Sequence, residues 1–269
     1  MSLPQISVQL YSLRDALEAD FEGTIRKLAA IGYPCVEPAG FHGRKPAEVA
    51  KLLTGRKPAE VAKLLTDLNL TAPSAHCGLP LGDAKNEIIE TALELGHRYL
   101  ITGVPPGGQD GYTSTDQVKA IAEQYCIAAD NVASHGLQVG YHNHDWDLAE
   151  FEAQPAYHTF LAHTPESVLF EADLFWIARA GIDPVGFLHE IGPRGKVLHF
   201  KDGHITDHSI EPPFLPAGKG EVDLIAAAQA ANDAEYIAVE LDDYDGDMLN
   251  AVEQSYLYLT ENKIAGGKK

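Results

Sequence analysis

Eight short apolar stretches recur along the chain, at 6–10, 33–37, 71–76, 98–102, 137–142, 168–173, 197–201 and 236–241, and helical patterns separate them. Strict alternation of this kind implies parallel strands, because each helix returns the chain to the same end of the sheet. Parallel sheets bury both faces, and eight repeats suit a closed cylinder. The reading is therefore α/β, a single-domain (β/α)8 TIM barrel spanning residues 1–269. That architecture typically takes roughly 250 residues. No linker or composition shift marks a second domain.

The helical segments carry their own punctuation. Phe21, Ile25, Leu28 and Ala29 share one face of a helix over Phe21–Ile31, which Gly32 stops. Asp83 is positioned to cap a helix through Leu95, ended by Gly96. Further helices are expected over 115–134, 154–162, 174–191, 222–231 and 246–262. The segment GRKPAEVAKLLT occurs twice in tandem, at 43–54 and 55–66. Twelve helical residues turn through about 1200°, so the copies point roughly 120° apart and cannot both face one groove. Gly55 and Pro58 weaken any continuous helix. Two short helices broken near 55–57 are expected, with Pro46 and Pro58 in first turns and only one helix packing on the barrel.

Charge narrows the partners. A net charge of -19 opposes general binding to nucleic acid or to an anionic membrane surface. Cys35, Cys77 and Cys126 show no CxxC spacing, which indicates reduced thiols in a cytoplasmic protein. No apolar run approaches the roughly 20 residues needed to span a bilayer. A small-molecule ligand remains, with a homodimer the oligomer guessed.

The chemistry sits at the strand ends. LQVGYHNHDW, LFEAD, KVLHFKD and YIAVELDD each finish on imidazoles or carboxylates. Side chains alternate along a strand, so parity puts Gly140 with His142, Glu171 with Asp173, His199 with Lys201, and Ala238 with Glu240. His142, Asp173, His199 and Glu240 then crown four consecutive strands. Neighbouring strands lie about 4.8 Å apart, so two imidazoles and two carboxylates form a plausible shell for one divalent metal ion. The nitrogen and oxygen mixture suits Mn, Zn, Fe or Co better than Mg. Glu171, one layer deeper, reads as a buried carboxyl satisfied by its neighbours. Lys201 is open to pairing with Asp202 or Asp173. The acidic run 242–247 reads as a solvated loop, and His97, His135, His158, His163 and His189 as surface residues.

GYHNHDWDL, FEADLFWIARAGIDP, LHFKDG, PAGKGEVD and YIAVELDDYDGD resemble the sugar phosphate isomerase/epimerase family of xylose-isomerase-like TIM barrels. VQLYSLRD and GYPCVEPAGF are similar to it as well, so the likeness covers nearly all the chain outside the duplicated segment. The resemblance implies one divalent metal at the carboxyl face, with Asp173, His199 and Glu240 matching the family's Asp, His and final Glu ligands. In many members the fifth strand ends in a Glu within an ENH-like stretch, where this chain has His142 in HNH. Those members shuttle the substrate proton between two facing glutamates, of which Glu240 is present here. Glu171 and His144 are the candidate substitutes for the other. The endonuclease IV branch needs further His ligands, and one such position is Trp176 here.

The expected activity is metal-dependent isomerisation or epimerisation of a sugar, keto-sugar or polyol through an enediolate. Glu240, or His142 or His144, would remove the proton, and Lys201 would meet the developing oxyanion or a substrate carboxylate or phosphate. Glu37, His76 and His144 would contact substrate hydroxyls, beside an apolar wall of Trp146 and Trp176. The alternatives are a lyase, of inosose or dehydroshikimate dehydratase type or an eliminase of oxidised glycosides, and a non-catalytic sugar-binding barrel.

Overall fold

The computed structural model describes residues 3–39 and 56–268. Seven parallel strands form one curled sheet in the order β1-β7-β6-β5-β4-β3-β2: β1 (Gln5–Val8), β2 (Ser74–His76), β3 (Tyr99–Thr102), β4 (Gln138–His142), β5 (Leu169–Asp173), β6 (Gly195–Phe200) and β7 (Tyr236–Val239). The second expected strand, 33–37, is not a regular strand. It is an extended stave that bridges to β1 at Gln9 and to Thr71 at Cys35. Its backbone bonds run both ways, with Leu10 N–H on the Glu37 carbonyl at 2.8 Å and Val36 N–H on the Thr71 carbonyl at 2.9 Å. This stave closes the gap between β1 and β2, which is why a sheet with seven regular strands behaves as an eight-stave barrel.

Helices cover the outside: α1 (Arg14–Ala19), α2 (Phe21–Ile31), α3 (Pro58–Asp67), α4 (Lys85–Leu95), α5 (Thr115–Ala133), α6 (Ala156–His163), α7 (Leu174–Arg179), α8 (Pro184–Ile191), α9 (Leu224–Ala230) and α10 (Met248–Glu261). In α2, Phe21, Thr24, Ile25 and Leu28 are buried, and Gly32 ends the helix at φ +117°, a conformation that L side chains rarely adopt. Asp83 does not cap α4. It lies in a short 3-10 turn, and the helix starts at Lys85 with no side-chain cap. The stretch 174–191 is two helices, because Gly181 at φ +80° breaks it and Asp183 caps the second. The second duplicated copy behaves as expected: Pro58 opens α3, and Val61 and Leu65 face the core. The first copy lies outside the described residues. Among the described residues no helix is long and apolar enough to cross a membrane.

The barrel interior is layered. Tyr99, Ile101, Leu169 and Val197 fill its floor. Gly140 belongs to this layer, where a Cβ would sit 2.5 Å from Ile101 Cδ1. The absent side chain thus makes room for Ile101 and leaves the volume above it to polar groups.

His97, read from sequence as a surface residue, is buried, with Nδ1 donating to the Ala72 carbonyl at 2.6 Å. It lies just before β3, in a turn that packs beneath the barrel. Burial holds its pKa below the ordinary histidine value, so the folded state favours the neutral ring. Its stabilising effect is therefore present above the unfolded value of about 6.5 and is lost as pH falls through the lower folded value. Urea midpoints should fall between about pH 7 and pH 5, and the fall should be shallower in His97→Gln. An unchanged pH slope in that variant would remove His97 as the cause.

Candidate metal centre

Strand register sets which groups meet. His142 on β4 lies opposite Glu171 on β5, one layer below Asp173. A bulge between β5 and β6 shifts the pairing, so that Phe170 faces Gly195 but Glu171 faces Val197. The extra residue, Lys196, brings Asp173 opposite His199. His199 is in turn opposite Ala238 on β7, two residues before Glu240. His76 ends β2, and Glu37 comes from the bridging stave. The side chains of Glu37, His76, His142, Glu171, Asp173, His199 and Glu240 are all buried.

The lower half of the cluster turns on Glu171. Its Oε2 lies 2.5 Å from His76 Nε2, 3.1 Å from His142 Nδ1 and 3.1 Å from His199 Nε2. Its Oε1 has no hydrogen-bond partner, so the expectation of a satisfied carboxyl holds for one oxygen only. Glu37 Oε1 accepts from Gln9 Nε2 and from His199 Nε2, each at 2.8 Å, and its Oε2 accepts from Ser74 Oγ.

The upper half is built on Lys201. Its Nζ is 2.8 Å from Glu240 Oε2, 3.0 Å from Asp173 Oδ2 and 2.9 Å from Asp242 Oδ1. Its ammonium also lies 5.4 Å from the ring centre of Trp176 and 5.5 Å from that of Phe214. Asp202 is not its partner, because Asp202 accepts backbone N–H groups from Gly203, Gly218, Gly220 and Val222 and shapes that loop. His199 Nδ1 is 2.8 Å from Glu240 Oε2 and 4.0 Å from Asp173 Oδ2. Asp173 divides its duties: Oδ1 caps α7 at the Trp176 N–H, and Oδ2 points to the centre. The Asn143 side chain pairs with the Asp173 backbone in both directions and fixes that strand end.

Electrostatics follow from this packing. Burial alone would push His199 down, but Glu171, Glu240 and Glu37 outweigh it and hold the ring well above the ordinary histidine range. Burial would push Glu240 up, and Lys201 with His199 hold it well below the usual carboxylate range. Lys201 stays charged despite burial because Asp173, Asp242 and Glu240 surround it. Burial depresses His142, which leaves a neutral imidazole suited to ligation.

Above the cluster lies an aromatic rim. The His144 ring stacks on Trp146 at 5.5 Å and lies 6.1 Å from Trp176. Buried Asp147 accepts the His144 backbone N–H with both oxygens at 3.0 Å, which locks the turn. His144 Nδ1 and Trp176 Nε1 are buried without hydrogen-bond partners.

The residues fit a divalent ion. His142, Asp173, His199 and Glu240 each offer one ligand atom, and these atoms all lie within 4.8 Å of one another. Asp173 Oδ2 is at ion-pair distance from Lys201 but makes no hydrogen bond, so it remains available to a cation. Glu37 and His76, read from sequence as substrate contacts, are committed to protein partners below this set. Sequence reasoning missed Asp242, which turns inward from its acidic run to meet Lys201, and Asp147, whose only signal was its place after the HNH stretch.

A family model described as xylose isomerase-like TIM barrel matches residues 25–261. The chain belongs to this family. No curated protein matches its sequence. Among solved structures it is similar to a sugar phosphate isomerase/epimerase from Parabacteroides distasonis ATCC 8503, at 22% identity and TM-score 0.77, covering 98% of this chain and 100% of that one. It is similar to a probable 3-DHS dehydratase from Bacillus anthracis, at 15% identity and TM-score 0.72, covering 94% and 98%. It is also similar to the IOLI protein, a structure with a bound zinc atom, at 15% identity and TM-score 0.71, covering 96% and 97%.

Replacing Lys201 by Met should leave three carboxylates without their buried counter-charge. Breaking such a pair costs about 3–5 kcal/mol. In chelator-treated protein the variant should melt well below the parent, and added Mn²⁺ should recover much of the difference. Equal melting temperatures in chelator would show that Lys201 does not balance the centre.

Proposed function

We propose that the chain is a divalent-metal-dependent isomerase or epimerase acting on a sugar, keto-sugar or related polyol. The observation that carries this reading is the convergence of His142, Asp173, His199 and Glu240 at the carboxyl end of the barrel, where enzymes of this architecture place their active sites. Two imidazoles and two carboxylates favour Mn, Zn, Fe or Co over Mg. The solved relative with a bound zinc atom supports a metal of this kind. A bound ion supplies Lewis acidity that polarises a substrate carbonyl and makes the adjacent C–H acidic.

The chain's own groups do the rest. Glu240, kept ionised by Lys201 and His199, removes the proton from carbon. Lys201 Nζ, next to Glu240, donates to the oxyanion of the resulting enediolate. Returning the proton from Glu240 to the neighbouring carbon gives isomerisation. Delivery by a second group, with His144 the candidate, gives epimerisation. His144 Nδ1, 3.7 Å from Asp147 Oδ2, and Trp176 Nε1 make no hydrogen bond and bind substrate hydroxyls, since leaving buried donors and acceptors without one is costly. Trp146 and Trp176 exclude water.

One departure supports a second reading. His142 stands where many relatives carry a glutamate, so the facing pair of glutamates on β4 and β7 is absent. Proton removal by Glu240 followed by loss of a β-leaving group, a dehydratase or eliminase reaction, uses the same centre with one base. A panel of keto-sugars in D2O with Mn²⁺ separates the readings. Deuterium uptake without loss of oxygen supports isomerisation or epimerisation, and release of water or glycoside supports the lyase. With metal content checked, Glu240→Gln should slow exchange by about 10²–10⁴-fold, the usual worth of a positioned base. Undiminished exchange would exclude Glu240 from that role.

A further inference from the structure

A second set of donors lies directly beneath the first. His76, His142, Glu171 and His199 each bring one ligand atom to within 4.8 Å of the others. All four side chains are buried. We propose that they form a second, deeper cation position, which takes a borderline transition-metal ion such as Zn²⁺ or Co²⁺. This position does not depend on the substrate class proposed above.

Two observations point to an ion there. First, Glu171 Oε1 is buried with no hydrogen-bond partner, and His142 Nδ1, though 3.1 Å from Glu171 Oε2, makes no hydrogen bond there. A network of imidazoles and carboxylates accounts for the 2.5 Å contact of His76 Nε2 with Glu171 Oε2, but it gives neither Glu171 Oε1 nor His142 Nδ1 a hydrogen bond. A cation answers both. Second, the donor set is rich in nitrogen, with three imidazoles to one carboxylate. Zinc and cobalt accept that set readily, whereas magnesium and calcium select oxygen.

His199 links the two positions. Its Nε2 faces down, 3.1 Å from Glu171 Oε2, and its Nδ1 faces up, 2.8 Å from Glu240 Oε2. A single ion in the upper position uses all four upper donors. When both positions fill, the shared donors divide. The lower ion takes His76, Glu171 and His142 Nδ1, and the upper ion keeps Asp173, Glu240 and His199 Nδ1. Each ion then has three protein ligands and an open position, the number found in catalytic zinc sites. Glu37, bound by Gln9 and Ser74, is placed as an outer carboxylate that orients the neighbouring imidazoles.

The test strips the full chain with chelator, saturates it with Zn²⁺, removes excess, counts zinc by plasma emission and locates it by anomalous diffraction. Two equivalents and two peaks are expected. His76→Gln and Glu171→Gln should each keep one equivalent, with the peak beside Asp173 and Glu240. Asp173→Asn should keep one equivalent, with the peak beside His76 and Glu171. A parent protein with a single upper peak overturns the deeper position and leaves the proposed function standing. A lower peak that survives in Asp173→Asn, in a protein whose upper position never fills, supports the deeper position and overturns the catalytic reading instead. Where a variant fails to fold, the map of the parent protein decides alone.

Discussion

Charge compensation inside the barrel mouth is the constraint on which the rest of this structure depends. Glu37, Glu171, Asp173 and Glu240 are all withdrawn from water, and a buried carboxylate without a counter-charge is severely unfavourable. The structure offsets them with Lys201 above and the imidazoles of His76 and His199 below. Removing any one group leaves its partners exposed to a low-dielectric interior. Clusters of this kind rarely serve stability, since an apolar plug of the same volume does as well.

The scaffold supplies that concentration through ordinary packing. An apolar floor of Tyr99, Ile101, Leu169 and Val197 seals the lower barrel. Gly140 keeps this floor low by yielding its side-chain volume to Ile101. Polar groups then occupy the next layers, and the aromatic pair Trp146 and Trp176 flanks His144 over them. Rigid strands hold the donors, while a turn locked by Asp147 holds the rim. The arrangement combines a fixed shell with a braced aromatic rim, which suits a site that binds a small polar molecule.

Family membership and the likeness to solved structures fix the architecture. The local chemistry is set by His142 at the end of β4, the ammonium of Lys201 lodged among carboxylates, and the pairing of Asp242 with it. These features give the site a carboxylate held ionised beside an ammonium and a mixed nitrogen and oxygen donor set.

Much of this was legible in the chain. Alternating apolar and helical segments dictated the parallel barrel, because periodicity is a local property. Parity sorted His142, Asp173, His199 and Glu240 to one side of their strands, since alternation is built into extended backbone. Pro58 announced the start of α3, and Gly32 the end of α2. Height around the cylinder was not legible. The bulge at Lys196 and the stagger of the strands set Glu171 level with His142 and Asp173 level with His199. Nor could sequence show that His97 is buried, that Asp242 turns inward, or that 33–37 closes the barrel through isolated bridges rather than a full strand. Those outcomes depend on which residues of distant segments come opposite one another, and that register is decided only when the sheet closes.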